Sequence, residues 1–361
     1  MNKVFLNPYL FFIILEGKLI AWDYKNHQQF EFDEKYLSRL LDISNSPISH
    51  HQIDTELMEN NLILDQEEKV EWGWDCLSKI FHFGTKISED DLLGINTEDA
   101  SLFASEYMKL SEDTLLTSPS LFIEKKGETV YLPLPDLSQL ADIDLLSVLT
   151  KRKTCRTFYD ESVSLETLSS LLYVTFGNFY SERKEYDNLG LERIGLRKTS
   201  PAGGGLHASE AYLVAFNVDG LPQGIYHYQA HAHILTLINS ETSFGEFKKI
   251  FCGQYYMENL SFGVFVTSRL EKLWHKYPHS RAYRVALLDI GHLSQTFQLV
   301  ATALNLSPWL SGAFIDDEVS KMLMLDEISE QPLFFVGAGY GPGLSLDPMT
   351  AEYALKSKGD E

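Results

Sequence analysis

Apolar and polar positions along the chain change rhythm twice. Over residues 1–70 the apolar runs are short and separated by turns. Val4–Leu15 and Lys18–Tyr24 carry β-type patterning on either side of Glu16-Gly17, which predicts a hairpin. Glu34–Ile43 sets Tyr36, Leu37, Leu40 and Leu41 at helical spacing, His51–Glu59 predicts a second helix, and Asn60–Leu64 returns to a strand. Two short helices among strands fit a winged-helix-like α+β domain, and equally an extension packed on the main domain.

Residues 71–141 read as a connecting segment. Trp72-Gly-Trp-Asp75 leads into Leu77, Ile80, Phe81 and Phe83 at helical spacing, an acidic Ser/Thr-containing stretch from Ser88 to Ser118 is expected to wrap the surface, and Thr129–Leu134 predicts a short extended lead-in. From 142 to 361 helical and strand patterns interleave. Helices are predicted around Leu145–Leu149 and over Glu166–Phe176, and strands over Ala211–Phe216, Gly224–Tyr228, Ile234–Leu237, Phe262–Thr267 and Pro332–Gly337. Arg284–Leu304 predicts a long helix, apolar around its girth and therefore central. Residues 177–199 form a polar insertion, a candidate lid or substrate loop. Helices interleaved with antiparallel-type hairpins predict an α+β fold rather than a doubly wound sheet.

Charge narrows the partners. The 361 residues carry 51 acidic against 30 basic side chains, a formal net charge of −21, which disfavours nucleic acid and anionic membranes. Cys76, Cys155 and Cys252 are far apart and show neither disulfide nor metal spacing. Tyr9–Leu15 is too short to span a bilayer and lacks the features of a secretory signal, so a cytoplasmic protein is expected.

Against that acidic background, Lys151-Arg-Lys-Thr-Cys-Arg-Thr-Phe158 stands out. Arg152, Lys153 and Arg156 with the Thr154 hydroxyl form a compact anion receptor or, on composition alone, a solvated basic patch. A glycine triplet occurs in Ser200-Pro-Ala-Gly-Gly-Gly-Leu-His207, just before the apolar run Ala211–Phe216. Glycines there let the backbone approach a flat or phosphorylated ligand without Cβ interference. The loop lacks the Gly-Lys-Ser/Thr ending of a nucleotide-triphosphate loop, and Gly337-Ala-Gly-Tyr-Gly-Pro-Gly343 has Pro342 where a dinucleotide fold would open a helix. Lys276 beside Tyr277 suggests base chemistry, since an ammonium favours the phenolate. The competing reading is an amphipathic helix start with snorkelling cations. His292 reads as a core histidine, and no metal-ligand constellation is visible.

Taken in order, these segments resemble the nitroreductase-like flavoprotein superfamily, and more closely the SagB-type peptide dehydrogenases of thiazole/oxazole-modified peptide biosynthesis. The basic segment is similar to that family's Arg-x-Ser/Thr-x-Arg-x-Phe phosphate motif. Thr199–Leu213 is similar to its Pro-Ser-x-Gly loop and following strand, and Lys276-Tyr277 with Arg281-Ala-Tyr-Arg284 and Asp289-x-Gly-His292 to its Lys-Tyr pair and downstream helix. The likeness spans about residues 142–343, and Trp72–Phe83 resembles the family's lead-in segment.

The resemblance implies FMN at a homodimer interface. Arg152, Lys153, Thr154 and Arg156 would hold the phosphate and ribityl chain, and Pro201, Ala202 and Gly203 would approach the ring. Ser311 and Gly312 would offer backbone groups, and Gly339 would border the phosphate. Ala202 stands where the family often has Ser, and Lys153 where it often has Arg or His. The implied reaction is oxidation of a thiazoline or oxazoline in a ribosomally made precursor peptide, with Tyr277 as base or proton relay and Lys276 tuning it. The N-terminal unit would recognise a leader peptide or dock a cyclodehydratase. A general NAD(P)H-dependent nitroreductase and a non-catalytic scaffold of a peptide-modifying complex are the alternatives.

Overall fold

The computed structural model describes residues 3–46, 52–87, 118–178, 197–240 and 244–357, with a few single positions between 99 and 109. The chain divides into two compact units, Met1–Phe103 with His279–Arg281, and Ala104–Pro278 with Ala282–Glu361.

In the first unit, β1 (Phe5–Leu6) pairs antiparallel with β5 (Ile63–Leu64), while β2 (Leu10–Leu15), β3 (Lys18–Asp23) and β4 (Gln28–Phe32) form a three-stranded antiparallel sheet. The predicted hairpin turns at Glu16 and Gly17, both at positive φ (51° and 77°), the arrangement whose twist suits a two-residue loop. Strand β4 was not anticipated, because Gln28, Gln29 and Glu31 hide its alternation. Helices α1 (Glu34–Asn45) and α2 (Asp54–Glu59) bury Leu40, Ile43 and Leu57 against Val4, Ala21 and Phe32. Between them Arg39 grips Asp54 through two parallel bonds of 2.7 and 2.8 Å, and Asp54 is almost wholly buried. Helix α3 (Cys76–Gly84) follows, with the Asp75 side chain accepting from the Ser78 amide as its N-cap.

The second unit is built on a seven-stranded, wholly antiparallel sheet. Its strands are β6 (Thr129–Tyr131), β7 (Ser209–Ala215), β8 (Gly224–Gln229), β9 (Ile234–Asn239), β10 (Phe262–Arg269), β11 (Ser307–Ser311) and β12 (Glu330–Gly339), in the order β11-β12-β10-β7-β8-β9-β6. Helices α4 (Ser138–Ala141), α5 (Leu145–Lys151), α6 (Leu165–Phe176), α7 (Phe244–Ile250), α8 (Leu270–Lys276), α9 (Arg281–Ala303), α10 (Asp316–Met322) and α11 (Pro348–Ser357) complete the described elements. The architecture is α+β.

The sheet is covered on both faces, so its central strands read as continuous apolar runs rather than alternating ones. Every residue of β10 is buried. Leu213, Val264 and Val336 point to the side of α6 and α9, where Leu171, Ile290 and Phe297 pack. Tyr212, Val214, Phe265 and Phe335 point to the other side, onto Phe251, Trp309 and Phe314.

Two expectations change. Helix α9 is not enclosed all round: Ala286, Ile290, Leu293 and Phe297 are buried, whereas Leu287 and Leu288 are 43% and 62% exposed, so it lies on the sheet with one face open. Thr129–Tyr131, expected only as an extended lead-in, pairs with β9 at the sheet's edge. Residues 179–196 of the polar insertion, and most of the acidic stretch 88–118, lie outside the described residues.

Removing one partner of a buried, doubly hydrogen-bonded ion pair leaves a charge uncompensated. Arg39→Met should therefore lower the stability of the first unit by about 3 kcal/mol in chemical denaturation, with the second unit's transition unmoved.

Candidate functional site

The glycine loop forms where the chain must turn into β7. Ser200 is buried and its Oγ lies 2.7 Å from Thr296 Oγ1 on α9. Gly203–Gly205 then make one tight turn, with Gly204 at φ +60°. The Gly203 amide donates to both carboxylate oxygens of Asp289 on α9, at 3.1 Å each. Gly204 packs directly beneath Tyr277, and a Cβ there would fall 2.2 Å from the Tyr277 hydroxyl oxygen. Only glycine satisfies both its dihedral angle and that approach.

Lys276 and Tyr277 reach the loop from the end of α8. Lys276 is buried, its Nζ donates to the Gly204 carbonyl at 3.4 Å, and the same nitrogen lies 5.6 Å from the centre of the Tyr277 ring. The Tyr277 amide closes the helix on Leu273 O at 2.8 Å, which fixes the ring's starting direction. The lysine–tyrosine pair and the glycine loop, separate in sequence, are thus in direct contact. Beside them runs a small cavity lined by Phe176, Lys198, Ala202, His207, Ser209 and Asp289, with Pro201 at its rim. Burial raises the Asp289 carboxyl above its ordinary range, against the pull of the Gly203 amide and of His292. Burial likewise lowers the Lys198 ammonium, opposed by Glu210.

The basic segment is positioned by other contacts. Helix α5, N-capped by Asp144, stops at Arg152, and residues 152–158 continue extended. The Cys155 amide bonds Pro308 O and the Tyr159 amide bonds Tyr340 O, both at 2.8 Å, which tie the segment to β11 and to the exit of β12. Arg152 donates to Gln298 Oε1 on α9 at 3.2 Å; Arg156 donates to the Ser345 carbonyl and lies over the Tyr256 ring. Lys153 is exposed and Thr154 half-buried.

Among the described residues, no carboxylate pairs with Arg152, Lys153 or Arg156. Next to them Thr157 Oγ1 is shielded from solvent with no hydrogen-bond partner. Gly339 lies alongside, opposite Ser307, where a Cβ would come within 2.8 Å of Ser261 Oγ and 3.3 Å of the Phe158 ring. Cations of this segment that lack carboxylate partners remain able to receive an anion.

Among the described residues the expected ones therefore fall into two groups, anchored at different points of α9. Asp289, which holds the glycine loop, and Gln298, which holds Arg152, stand nine positions apart on α9 (298 against 289). That is about two and a half turns and about 13 Å of rise, placing them on opposite flanks of the helix's buried stripe. Ser311 and Gly312 fall in neither group: Ser311 Oγ bonds Gln254 Oε1 and accepts from the Ala313 amide, and Gly312 lies against Phe334. Asp289, Gln298 and Thr157 were not singled out as site residues beforehand. The available signal was a pair of polar side chains interrupting the apolar inward stripe of α9.

Comparison with known proteins points to one family. The family model described as "Nitroreductase family" matches residues 149–340. A protein of Methanocaldococcus jannaschii bearing the name nitroreductase is 27% identical over 213 residues, 59% of this chain and 98% of its own. Two proteins of Rhizobium leguminosarum bv. trifolii also match. The trifolitoxin operon protein TfxC is 27% identical over 60% of this chain, and the trifolitoxin-processing protein TfxB is 28% identical over 47%. The match spans 60% and 46% of those two relatives' own lengths.

Gly204→Ala forces a Cβ into the Tyr277 ring and a left-handed backbone onto alanine. We expect a loss of about 1–3 kcal/mol in denaturant unfolding, together with a changed Tyr277 environment in its ring NMR signals.

Proposed function

The chain belongs to the nitroreductase family, and we propose that within it this protein is an FMN-dependent dehydrogenase that oxidises thiazoline or oxazoline rings of a ribosomally made peptide to the aromatic azoles. The observation that carries the flavin part is the cationic segment. In a chain of net charge −21, Arg152, Lys153 and Arg156 stand without carboxylate partners among the described residues. Such a set fits a phosphate monoester, with Thr154 and the close backbone at Gly339 as further bounds. Support for a peptide substrate comes from the likeness to the trifolitoxin-processing protein TfxB and the trifolitoxin operon protein TfxC, and from the Lys276–Tyr277 pair seated on the glycine loop.

FMN, when bound, supplies the acceptor for the hydride that leaves ring Cβ. The protein's own share is positioning and proton handling. Tyr277 takes the proton from ring Cα, and the buried Lys276 ammonium holds the phenol's surroundings positive while anchoring Gly204. Pro201, Ala202 and Gly203 present a flat, nearly side-chain-free wall on which a planar ring can lie. The Gly203 amide itself is taken by Asp289, so this residue contributes surface rather than a donor.

Because the cationic group and the Tyr277 group occupy opposite flanks of α9, a complete site in our reading joins the first group of one protomer to the second of another. A homodimer is the simplest assembly that does so. Ser311 and Gly312 would then offer backbone groups to the flavin. A precursor peptide, a cyclodehydratase partner and recognition by a winged-helix-like N-terminal unit belong to the same proposal. Among the described residues no helix is long and apolar enough to cross a membrane.

Tyr277→Phe and Lys276→Ala should each retain flavin yet lose ring oxidation by about 100-fold or more, read by mass spectrometry as loss of one hydrogen pair per ring. Wild-type protein that binds FMN but reduces only nitro compounds would favour the general nitroreductase reading. Full ring oxidation by both variants would remove the pair from the chemistry.

A further inference from the structure

Helix α8 carries a second buried lysine one turn before the first: Lys272 is 5% exposed and Lys276 6%. An ammonium withdrawn from water is costly unless its hydrogens find acceptors. Lys272 finds two, both backbone carbonyls from distant segments. Its Nζ donates to His207 O at 3.3 Å and to Leu121 O at 3.1 Å. His207 closes the glycine loop and sits at φ +43°, a conformation a residue with a side chain adopts only when its surroundings hold it. The next residue is held too, since Ala208 O accepts the Arg269 amide at 2.8 Å. Successive turns of α8 thus grip two carbonyls of one loop, Lys276 at Gly204 and Lys272 at His207.

Burial, together with the positive charges of Arg269 and Lys198, lowers the Lys272 pKa to about 8 against the opposing Glu210 and Glu271. At neutral pH the group is still mostly an ammonium, able to serve both carbonyls at once.

We infer that Lys272 is a positioning residue of the site: through His207 O and Leu121 O it fixes the outgoing end of the glycine turn, so that Gly204 stays seated against Tyr277. Its bearing on the flavin rests on the reading of that turn as a wall of the FMN site, whereas its hold on the loop does not. Lys272→Met keeps the apolar stem and removes the donors, and Lys272→Arg keeps charge and donors.

Hydrogen–deuterium exchange on the full chain at pH 7, followed by titration with FMN, separates the two. Lys272→Met should exchange about tenfold faster over residues 203–208 with β8 and β12 unchanged, and should bind FMN about tenfold more weakly. Lys272→Arg should restore both. Unchanged exchange at 203–208 in Lys272→Met, equal loosening of β8 and β12, or unaltered FMN affinity despite faster exchange would each overturn the inference. A wild-type chain that binds no FMN contradicts the flavin reading, and the exchange result alone then decides the clamp.

Discussion

The site depends on a contact that only a missing side chain permits, the seating of the Tyr277 ring on the backbone of Gly204. Tyr277 follows the last turn of α8, and that turn buries Lys276 so that its ammonium meets the Gly204 carbonyl. Each part constrains the others. The left-handed dihedral of Gly204 orients its carbonyl towards the lysine, the buried lysine requires such an acceptor, and the tyrosine ring closes over the gap. Asp289 then anchors the loop from α9, with burial raising its carboxyl pKa against the opposing pull of the Gly203 amide and of His292. The result is a wall of backbone carrying a phenol at its edge, held by charge buried behind it.

The cationic segment follows a different logic. Its location is set by backbone bonds to β11 and to the exit of β12, while among the described residues its guanidinium groups find neutral acceptors, Gln298 and the Ser345 carbonyl. Carboxylates outnumber cations in this chain by 51 to 30, so cations without carboxylate partners are kept for something else. A long helix with one open face separates this segment from the glycine wall, which gives a physical motive for assembling the site from two chains.

Much of the α+β fold was legible in the sequence because the second unit's core is written in long unbroken runs. Phe262–Thr267 could hardly be anything but a strand buried on both faces, and Glu166–Phe176 shows its inward stripe openly. Polar or very short elements were not legible. Strand β4 is masked by Gln28, Gln29 and Glu31, and β11 holds only five residues with Pro308 near its start. Helix α9 was read as central because its composition is apolar, yet Leu287 and Leu288 face outward. Within the site, residue types and order pointed to Arg152–Arg156, the glycines and Lys276–Tyr277. Asp289 was quoted only within the Asp289-x-Gly-His292 likeness, and the roles of Asp289, Gln298 and Lys272 arise from partners brought close only by folding.

The claim on which the rest turns is that Arg152, Lys153, Arg156 and their neighbours hold the phosphate of a flavin mononucleotide. Calorimetric titration of the full chain with FMN and with riboflavin, which share the ring and ribityl chain and differ only in the phosphate, tests it directly. FMN should bind about 100-fold more tightly or better, a preference of about 3 kcal/mol for the charge-assisted contacts to the phosphate. Equal affinity for the two ligands would contradict the account.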